Sequence, residues 1–562
     1  MEKYSLRNLP PEGVLSEYSD IERRLLHSRF IKDSDEAERF LSVSYERDMH
    51  DPFLLTDMDR AVSRILKAMN SKEKIAIFGD FDADGLCASV CWKDFFQRAN
   101  YEKVSFYIPH RHDEGFGLNN KALTEMSSDG VSLVITVDCG VADTEILKEA
   151  SGLGLDVIVT DHHEPVNGLP EVTAVVDPKR KDCSYPNPNL TGAGVAFKVI
   201  QGILSQNRFG IPEGHEKWLL DLVGISNISD YVPLIGENRT LTYYGLLVLR
   251  KSPRLGLVKL CRKLNIPQRN LTEDDVGFMI APRLNAASRM GSAEDAFVLL
   301  STCDEAEASE AVLRLEKVNN ERKGVVASIV KEVKKNSEMF NDQNVIVAGN
   351  PKWRPSLLGL VANSIAEEYS KPVFLWGRDG SRVIKGSCRS SGEIDVLSLM
   401  SSTEEVFEQY GGHKFAGGFS VSFKQVHILR ERLNIAYGKN GVRSKEEVKE
   451  IDGVLSIDDV NISMYRKIER FAPFGVGNPK PVFKFPGVLI KRMKMFGKEN
   501  EHIELVFQNS KGVDIKAIGF FQKPENFERE IKEGKEIDLI ATVELSYFRG
   551  RQELRLRIVD VC

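Results

Sequence analysis

The sequence contains no uninterrupted apolar run long enough to span a bilayer. Its first residues, Met-Glu-Lys-Tyr-Ser-Leu-Arg, also lack the pairing of a basic segment with a following apolar one. These absences argue against a transmembrane helix and against a secretory signal. We therefore predict a cytoplasmic protein that has no contact with a membrane.

Cysteine is sparse as well, with 8 residues in a chain of 562. Only Cys87 and Cys91 lie close together, which fits neither a disulfide framework nor the paired spacing of a zinc site. We interpret the cysteines mostly as small buried apolar residues.

Basic residues are not in excess. The chain has 76 Lys and Arg against 82 Asp and Glu, and its net charge of −6 does not by itself suggest a nucleic-acid partner. An enzyme that holds metal ions, however, needs clustered carboxylates, and these mask basic surface when all charges are summed. The proportions of apolar and charged residues, 42% and 28%, are those of a folded protein, and the length predicts about two to four domains.

Three short apolar runs end in an acid, at Asp80, Asp138 and Asp161. Stretches of helical period separate these runs, which indicates buried parallel strands between residues 74 and 177. Because open α/β sheets place ligands and catalytic groups at the carboxyl ends of their strands, we expect these acids to converge.

The rest of the chain divides by pattern. Apolar residues at helical spacing, without proline, predict one long helix at about 304–337, and period-two alternation after residue 451 predicts an antiparallel sheet that forms a small barrel. The predicted order is a helical segment at 1–50, a parallel-sheet α/β domain at 51–301, a connecting long helix at 302–337, a smaller α/β domain at 338–437, a linker at 438–450 and the barrel at 451–562.

Three carboxylates alternate directly after the first predicted strand, at Asp80, Asp82 and Asp84, and a helix is predicted to begin at about Leu86. So dense a cluster is costly unless cations neutralise it. A calcium loop or a solvated turn is the alternative, but the ligand spacing of an EF-hand is incomplete here. The pattern therefore favours a divalent-metal site.

The sequence Asp161-His162-His163 follows another predicted strand. Carboxylate and imidazole ligands suit manganese, iron or zinc better than calcium. Taken alone, this motif fits a polar loop equally well, but its position beside Asp138 favours metal binding. Asp230 is a candidate ligand from a later turn, and Asp177 is a candidate strand-end cap.

Together, the triple-aspartate loop, Asp138, the Asp-His-His motif and Asp230 resemble the DHH phosphoesterase superfamily. Further strings are similar to the RecJ family within it, in the same order and with compatible spacing from about residue 51 onward. They lie at 107–111, 192–198, 281–291, 411–418 and 472–479. The resemblance implies a DHH domain, a DHH-associated domain that grips the substrate, and a terminal OB-type domain.

The resemblance also implies roles for the acids and histidines. Asp82 and Asp84 would bind one metal ion each and Asp138 would bridge them. His162 and Asp230 would complete the second site, and Asp80 would support the first. His163 would face the scissile phosphate, while Asp161 would orient a histidine. The cofactor implied is a pair of Mn²⁺ ions, with Mg²⁺ as substitute, because two cations activate water and neutralise phosphate charge.

Substrate contacts are predicted at residues that can hold a phosphate. Arg283 suits a phosphate clamp, the alternative being a surface salt bridge, and Arg111 would hold phosphates near the metals. In the second lobe, the candidates are Ser387, Arg389, Gly412 and His413. One departure affects this region, since Trp353-Arg354-Pro355-Ser356 stands where the family usually has Trp-His-Pro-Gly.

Near the C-terminus, arginines interleave with apolar and aromatic residues, which predicts an exposed basic stripe for single-strand binding. The stripe comprises Arg549, Arg551, Arg555 and Arg557, among Tyr547, Phe548, Leu554 and Leu556. A solvated strand face without ligand is the alternative.

The function implied by the resemblance is a 5′-to-3′ exonuclease that is specific for single-stranded DNA, releases 5′-mononucleotides and acts in DNA repair and recombination. One alternative is a phosphodiesterase of short oligonucleotides or cyclic dinucleotides, and another is a non-catalytic DNA-binding scaffold. By family analogy, we expect a monomer whose partners include a single-strand-binding protein and a helicase.

Overall fold

The computed structural model describes residues 3–165, 168–335, 340, 343–378, 383–391, 394–439, 448–497, 500–548 and 551–562. The chain forms two compact units. The first comprises Met1–Asn285, Ala293–Val312 and Val448–Cys562, and the second comprises Ala286–Ser292 and Leu313–Glu447. No described helix combines the length and the apolar character that a membrane crossing requires.

The first unit contains a five-stranded sheet in which every pairing is parallel. A short strand and four helices precede it, namely β1 Tyr4–Leu6, α1 Asp20–His27, α2 Ser34–Leu41, α3 Tyr45–Asp48 and α4 Met58–Asn70. The sheet strands are β2 Lys74–Gly79, β3 Val104–Tyr107, β4 Val131–Val137, β5 Asp156–Thr160 and β6 Ala174–Val176, in the order β3-β2-β4-β5-β6. The predicted parallel sheet is confirmed.

Helices cover the sheet and extend the first unit. Those between the strands are α5 Ala83–Arg98, α6 Asn120–Ser128 and α7 Thr144–Gly152. Those that follow are α8 Gly192–Gln206, α9 Leu220–Ser229, α10 Gly236–Leu249, α11 Leu255–Leu264, α12 Glu273–Asp275, α13 Ala281–Met290, α14 Glu294–Ser301 and α15 Glu305–Lys334. Strand β2 is apolar after Lys74 because both of its faces are buried, with Ala76, Ile77 and Phe78 fully inaccessible.

The long helix predicted at about 304–337 is α15, which has 30 residues. Its residues up to Val312 belong to the first unit and those from Leu313 to the second. Earlier in the chain, a π-helical turn at Val276–Ile280 joins α12 to α13.

The second unit is the predicted smaller α/β fold. Its elements are β7 Ile346–Asn350, α16 Pro355–Tyr369, β8 Val373–Gly377, β9 Ile384–Arg389, α17 Val396–Ser401, β10 Gln409–His413, β11 Ala416–Val421 and α18 Leu429–Lys439. The strand order is β10-β11-β9-β8-β7, with only β7 and β8 parallel. Residues 440–447 of the predicted linker lie outside the described part of the chain.

The C-terminal part of the first unit is a seven-stranded sheet, as the alternating pattern predicted, but the sheet is mixed and not purely antiparallel, because two of its six strand pairings are parallel. Its region contains β12 Lys449–Ile451, β13 Gly453–Val454, α19 Ile462–Glu469, β14 Phe483–Leu489, β15 Arg492–Phe496, β16 His502–Gln508, β17 Asp514–Gly519, β18 Glu536–Phe548 and β19 Arg551–Val561. The order is β13-β14-β18-β19-β17-β16-β15. Alternate residues such as Ile503, Leu505 and Phe507 fill its core.

Backbone contacts tie this sheet region to the α/β part of the same unit. The buried Arg239 guanidinium donates to the carbonyl oxygens of Phe40 and Ala472, both at 2.8 Å. The Leu234 N–H donates to the Val476 carbonyl at 2.7 Å. The string at 472–479 is thus a packing segment that fixes the chain a few residues after Asp230.

Candidate metal centre

Acids follow four of the five parallel strands at one edge of the sheet. Asp80 follows β2, Asp138 follows β4, Asp161 follows β5 and Asp177 follows β6. Asp138 has a φ of +63°, a backbone conformation that non-glycine residues seldom adopt and that is concentrated at functional sites. The convergence expected from the sequence is present.

The triple-aspartate loop is also the start of α5. The Asp82 Oδ1 caps this helix by accepting from the N–H groups of Asp84 at 2.9 Å and Gly85 at 3.1 Å. The helix therefore begins at Ala83, three residues before the predicted Leu86. Gly85 has no room for a side chain, because a Cβ there would lie 2.7 Å from the Asp80 carbonyl oxygen.

Asp84 is held by a distant part of the chain. Its two carboxylate oxygens accept from the N–H groups of Gly192 at 2.7 Å and Ala193 at 2.8 Å, at the start of α8, and from the Ser226 hydroxyl at 2.7 Å. A Cβ at Gly192 would lie 2.6 Å from the Asp138 Cβ. The glycine at position 192 thus lets the N-terminus of α8 lie close to the side chains of Asp84 and Asp138.

His162 stands at the centre of the acids. Its Nε2 lies 2.9 Å from Asp138 Oδ1, 3.6 Å from Asp84 Oδ2 and 4.0 Å from Asp230 Oδ2. Asp230 reaches this point because it ends α9, whose Ser226 already contacts Asp84.

All six predicted ligands fall into groups whose ligand atoms lie within 4.8 Å of one another. One group is Asp80, Asp82 and Asp138, and another is Asp84, His162 and Asp230. His163 joins Asp138 and His162 in a third group. A mixed set of carboxylates and imidazole suits Mn²⁺.

The carboxyl groups of this centre are difficult to ionise unless a positive charge is nearby. Burial raises the pKa of Asp80 and Asp138 well above the usual range, and neighbouring carboxylates add to the shift. For the same reasons, the pKa of Asp84 is raised to about 6 and that of Asp230 to about 8. Asp80 Oδ1 is buried and accepts no hydrogen bond from any described residue, while the neutral imidazole of His162 lies beside the buried Asp138 Oδ1, with Nε2 2.9 Å away. The donor set therefore fits divalent cations.

The two adjacent histidines differ in environment. His162 is buried, and burial lowers its pKa to about 3, which leaves its imidazole neutral and able to bind a metal. His163 is half-exposed, and its Nδ1 lies 2.7 Å from Asp161 Oδ1. Although burial opposes the shift, this contact raises the pKa of His163 to about 9. Asp161 Oδ2 accepts from the Val141 N–H at 2.9 Å, which fixes the pair.

Asp177 is not in any of the candidate ligand groups found among the described residues. Its Oδ1 accepts from the Lys179 N–H at 2.7 Å, in the manner of the strand-end cap that was its predicted role. Burial raises the pKa of Asp177 to about 7.

Of the two predicted phosphate arginines of the first unit, Arg111 lies beside the triple-aspartate loop. The Arg111 guanidinium stacks 4.7 Å from the Phe81 ring centre. Burial lowers its pKa, and the charges of Asp80 and Asp82 only partly oppose this shift. Arg283 is buried and donates to the Met279 carbonyl at 2.6 Å, so it does not occupy a surface position. Two residues on, Asn285 accepts from the Ala83 N–H at 2.8 Å.

Sequence reasoning missed Phe116. Its side chain is 55% exposed, and its ring centre lies 5.5 Å from that of His163. Glycines on both sides have positive φ, and a Cβ at Gly117 would meet the Asp143 carboxylate at 2.6 Å. The overlooked signal was Gly115-Phe116-Gly117, a loop that presents an aromatic ring to solvent beside the metal centre.

In the second unit, the predicted substrate residues occupy neighbouring strands. Ser387 and Arg389 lie on β9, and Gly412 and His413 lie on β10, with the glycine-rich β11 between them. The Arg389 guanidinium donates to the Ser387 hydroxyl at 3.0 Å. Gly412 has a φ of +146°, which favours glycine.

In the segment 353–356, which departs from the usual Trp-His-Pro-Gly of the family, Ser356 forms two hydrogen bonds with Arg289. Arg354 precedes α16, and the Ser356 hydroxyl donates to the Arg289 carbonyl at 2.9 Å, while the Arg289 guanidinium donates back to the Ser356 carbonyl at 2.9 Å. A glycine at position 356 would lack the first of these bonds.

The predicted basic stripe of the terminal sheet is only partly exposed. Arg555 is paired with Glu544 at 2.6 Å, so the prediction that it is an exposed cation is wrong. Arg557 stacks 5.1 Å from the Phe520 ring centre. Arg549 and the side chains of Phe548 and Arg551 lie outside the described residues.

An aromatic cluster beside Arg557 was not predicted. It comprises Phe496, His502, Phe520 and Phe521, with neighbouring ring centres 4.7 to 6.4 Å apart. Phe521 is 79% exposed and has a φ of +55°, and its N–H donates to His502 Nδ1 at 3.0 Å. A strained and exposed aromatic residue indicates a binding surface.

Three family models match this chain. They are the DHH family N-terminal domain at residues 74–225, the DHHA1 domain at 342–435 and the RecJ OB domain at 451–560. The metal centre lies in the first of these regions except for Asp230, which follows it.

Named relatives extend the similarity to nearly the whole chain. The single-stranded-DNA-specific exonuclease RecJ of Bacillus subtilis is 34% identical over 532 residues, which are 94% of this chain and 66% of that relative. The protein of the same name from Haemophilus influenzae is 29% identical over 98% of this chain and 97% of its own length.

Solved structures of RecJ proteins are also similar to this chain. RecJ from Thermus thermophilus in complex with Mn²⁺ superposes with a TM-score of 0.81 at 26% identity, covering 100% of this chain and 79% of that one. A manganese-bound structure of exonuclease RecJ is 32% identical with a TM-score of 0.59, and the match covers 68% of this chain and 95% of that one. The chain described here belongs to the RecJ family.

Proposed function

We propose that this protein is a metal-dependent exonuclease that hydrolyses phosphodiester bonds of single-stranded DNA from the 5′ end. The observation that carries the proposal is the centre in which His162 Nε2 lies within 4.0 Å of carboxylate oxygens from Asp84, Asp138 and Asp230. Its relatives are named single-stranded-DNA-specific exonucleases.

Two Mn²⁺ ions are the proposed cofactors, with Mg²⁺ as substitute. Asp80 and Asp82 would hold one ion, and Asp84, His162 and Asp230 would hold the other. Asp138 would help to hold both ions, because it belongs to one ligand group with Asp80 and Asp82 and to another with His162 and His163. When bound, such ions lower the pKa of water and neutralise charge on the phosphate.

The chain's own residues position the substrate and hold a proton. Because the pKa of His163 is raised to about 9, its imidazolium carries a proton on Nε2 at neutral pH, while Nδ1 stays bonded to Asp161. That proton is available to a phosphate oxygen beside the metal centre. Arg111, which stacks on Phe81 in the triple-aspartate loop, would supply a second positive charge for the phosphate.

Phe116 gives this centre a means of selecting unpaired bases. Its exposed ring, next to His163, offers a face on which a base can stack once it is free of a duplex. We propose that the nucleotide at the scissile phosphate stacks on Phe116.

The other regions would hold the strand. In the second unit, Ser387, Arg389, Gly412 and His413 are the proposed contacts of the terminal phosphate. In the OB region, Phe520, Phe521 and Arg557 combine aromatic faces with a cation, the combination that binds single strands without sequence preference. The predicted domain limits, a monomeric state, and a single-strand-binding protein and a helicase as partners are proposals as well.

The test uses single-stranded DNA labelled at one end, with a nuclease-resistant cap at the 5′ or the 3′ end, and added Mn²⁺ or Mg²⁺. We expect 5′-mononucleotides from the 3′-capped strand, no products from the 5′-capped strand and no digestion of blunt duplex. Digestion that stops only with the 3′ cap would reverse the polarity. Hydrolysis of cyclic dinucleotides alone would favour the phosphodiesterase alternative, and binding without cleavage would favour a scaffold.

A further inference from the structure

The two carboxylate oxygens of Asp84 have different surroundings. Oδ1 accepts from the Ala193 N–H at 2.8 Å and from the Ser226 hydroxyl at 2.7 Å. Oδ2 accepts one bond from the described part of the chain, from the Gly192 N–H at 2.7 Å. Each oxygen of an ionised carboxylate has about two lone-pair sites. The chain therefore occupies both sites of Oδ1 and leaves one site of Oδ2 open.

The open site belongs to the oxygen on the metal side. Oδ2 lies 3.6 Å from His162 Nε2, and Asp84, His162 and Asp230 form one of the candidate ligand groups. A cation that binds His162 Nε2 therefore meets Oδ2 of Asp84. Oδ1 is committed to the starts of α8 and to a hydroxyl of α9.

The Ser226 hydroxyl is itself held by a series of side chains. Its Oγ lies 2.6 Å from Thr191 Oγ1, which also accepts from the Gly194 N–H at 3.1 Å as the N-cap of α8. Thr191 Oγ1 lies 3.0 Å from Asn227 Oδ1, and Asn227 Nδ2 donates to the Thr242 hydroxyl oxygen at 3.1 Å. The position of Ser226 thus depends on contacts with α8 and α10 as well as on its own helix.

These side chains are shielded from water. Thr191, Ser226, Asn227 and Thr242 are each at most 1% exposed. Hydrogen bonds are stronger in such an environment, and no bulk water replaces a donor that is lost. An ionised Asp84 can only accept, so the single hydrogen of Ser226 points to Oδ1, and Thr191 supplies the hydrogen between the two hydroxyl groups. Both hydroxyls are then directed toward Asp84.

We propose that Ser226 and Thr191 are positioning residues that restrict Asp84 to one coordinating oxygen, Oδ2, and thereby set the affinity of the ion that Asp84 shares with His162. The inference rests on the proposed metal-dependent function and adds two residues to it. Without the Ser226 hydroxyl, Oδ1 has an open lone pair, and the carboxylate turns or binds through both oxygens. Residues that orient metal ligands typically change metal affinity by about 10–100-fold.

The first test is calorimetric titration of Mn²⁺ into the metal-free full chain. We expect Ser226→Ala to bind Mn²⁺ about 10–100-fold more weakly at the affected site. Thr191→Val should also bind it more weakly, whereas Thr191→Ser, which keeps the hydroxyl, should bind it as the unaltered chain does. Ser89→Ala is the matched control, because this buried hydroxyl of α5 donates to the Gly85 carbonyl at 2.8 Å and should not affect Mn²⁺ binding.

Stability measurements separate positioning from a purely structural role. Ser226→Ala and Ser89→Ala each remove a buried hydroxyl, so urea denaturation without metal should show a loss of stability for both. Only the first should lose Mn²⁺ affinity. The double variant Ser226→Ala/Thr191→Val should bind Mn²⁺ about as Ser226→Ala does, because both residues act through the same bond to Asp84.

A crystal structure of the Mn²⁺-loaded chain tests the coordinating atom directly. We expect Oδ2 of Asp84, and not Oδ1, within bonding distance of the ion that His162 binds. The inference is overturned if Oδ1 coordinates, or if Ser226→Ala binds Mn²⁺ as tightly as Ser89→Ala. Should Ser226→Ala fail to fold by circular dichroism, equal Mn²⁺ affinities of Thr191→Val and Thr191→Ser would overturn it. An unaltered chain that binds no Mn²⁺ would overturn the proposed cofactor as well.

Discussion

His162 Nε2 and Asp138 Oδ1 lie 2.9 Å apart, although the two residues follow different strands. The two groups do not form an ion pair, because burial keeps the imidazole neutral and opposes ionisation of the carboxyl. Both are ligand types for the same divalent ion, and their proximity is accounted for by shared metal binding.

His162→Ala is expected to lower the turnover of single-stranded DNA by at least about a hundredfold while the fold and DNA affinity persist. Loss of a metal ligand should exceed the 10–100-fold effects typical of residues that only support ligands. Exonuclease kinetics with Mn²⁺ and a separate binding assay in EDTA measure the two quantities. Turnover close to that of the unaltered protein in a folded variant would contradict the ligand assignment.

Asp84→Ala should behave differently. Besides losing a ligand, it leaves the N–H groups of Gly192 and Ala193 and the Ser226 hydroxyl without their acceptor. We expect a loss of about 1–3 kcal/mol in the free energy of unfolding, in addition to the loss of activity. Urea denaturation of this variant beside His162→Ala distinguishes the two cases, and equal stabilities would count against the anchoring role.

Metal-free protein should become less stable as the pH rises from about 4 to about 8. The folded-state pKa values of Asp84 and Asp230, about 6 and about 8, exceed the unfolded values near 3.9, so the folded chain binds more protons in this window. The contribution of these two protonated carboxyls to the free energy of unfolding is complete below their pKa in the unfolded chain. It is lost as the pH rises past their pKa in the folded chain. Added Mn²⁺ favours the ionised acids, and its effect on Tm should therefore grow with pH.

Thermal unfolding at pH 6 and pH 8, with EDTA or with Mn²⁺, measures this dependence. Asp138→Asn removes one of the acids concerned and should reduce the response to Mn²⁺. A Tm increase that is identical at both pH values would argue against ionisation of the cluster on metal binding.

Asp161→Asn should shift the alkaline limb of the pH–rate profile to lower pH. Burial opposes the raised pKa of His163, and Asp161 contributes most to raising it, so the neutral replacement lowers that pKa toward about 6.5 and removes the proton at pH 8. Profiles between pH 6 and pH 10 would show this shift, and His163→Ala serves as control because it should lose the limb altogether. An unshifted limb in Asp161→Asn would rule out His163 as its source.

Phe116→Ala is expected to raise KM for single-stranded DNA by about tenfold, since stacking on one aromatic ring is worth about 1–3 kcal/mol per base. Phe116→Trp should retain low KM. A strand with an abasic site at the terminal nucleotide provides the control, because it should bind the unaltered protein and Phe116→Ala alike. A KM that does not respond to Phe116→Ala would exclude stacking there.

The proposed DNA-binding surface at Phe521 and Arg557 can be tested by single substitutions. Deleting the whole C-terminal region would instead leave the buried Arg239 without its carbonyl partner at Ala472. Phe521→Ala should weaken binding of long single strands, and Arg557→Gln should also reduce the salt slope by about one. Fluorescence anisotropy across a range of salt concentrations measures both. Val513→Ala, at another exposed apolar position of the region, is the control and should bind normally.

The sequence by itself determined the parallel sheet and the composition of its metal centre. Apolar runs that end at Asp80, Asp138 and Asp161 specify strands buried on both faces, and parallel strands bring their carboxyl ends to one edge. The alternation after residue 451 likewise specified the terminal sheet. These patterns are local, and each is legible within a few residues.

Only the tertiary structure decided how the centre is held and what stands around it. Gly192 bonds to Asp84 across 108 positions, Phe116 meets His163 through a glycine loop, and Glu544 neutralises Arg555 from the neighbouring strand. Such contacts join segments whose separate patterns carry no sign of one another, because close packing, and not local periodicity, selects the residues that touch.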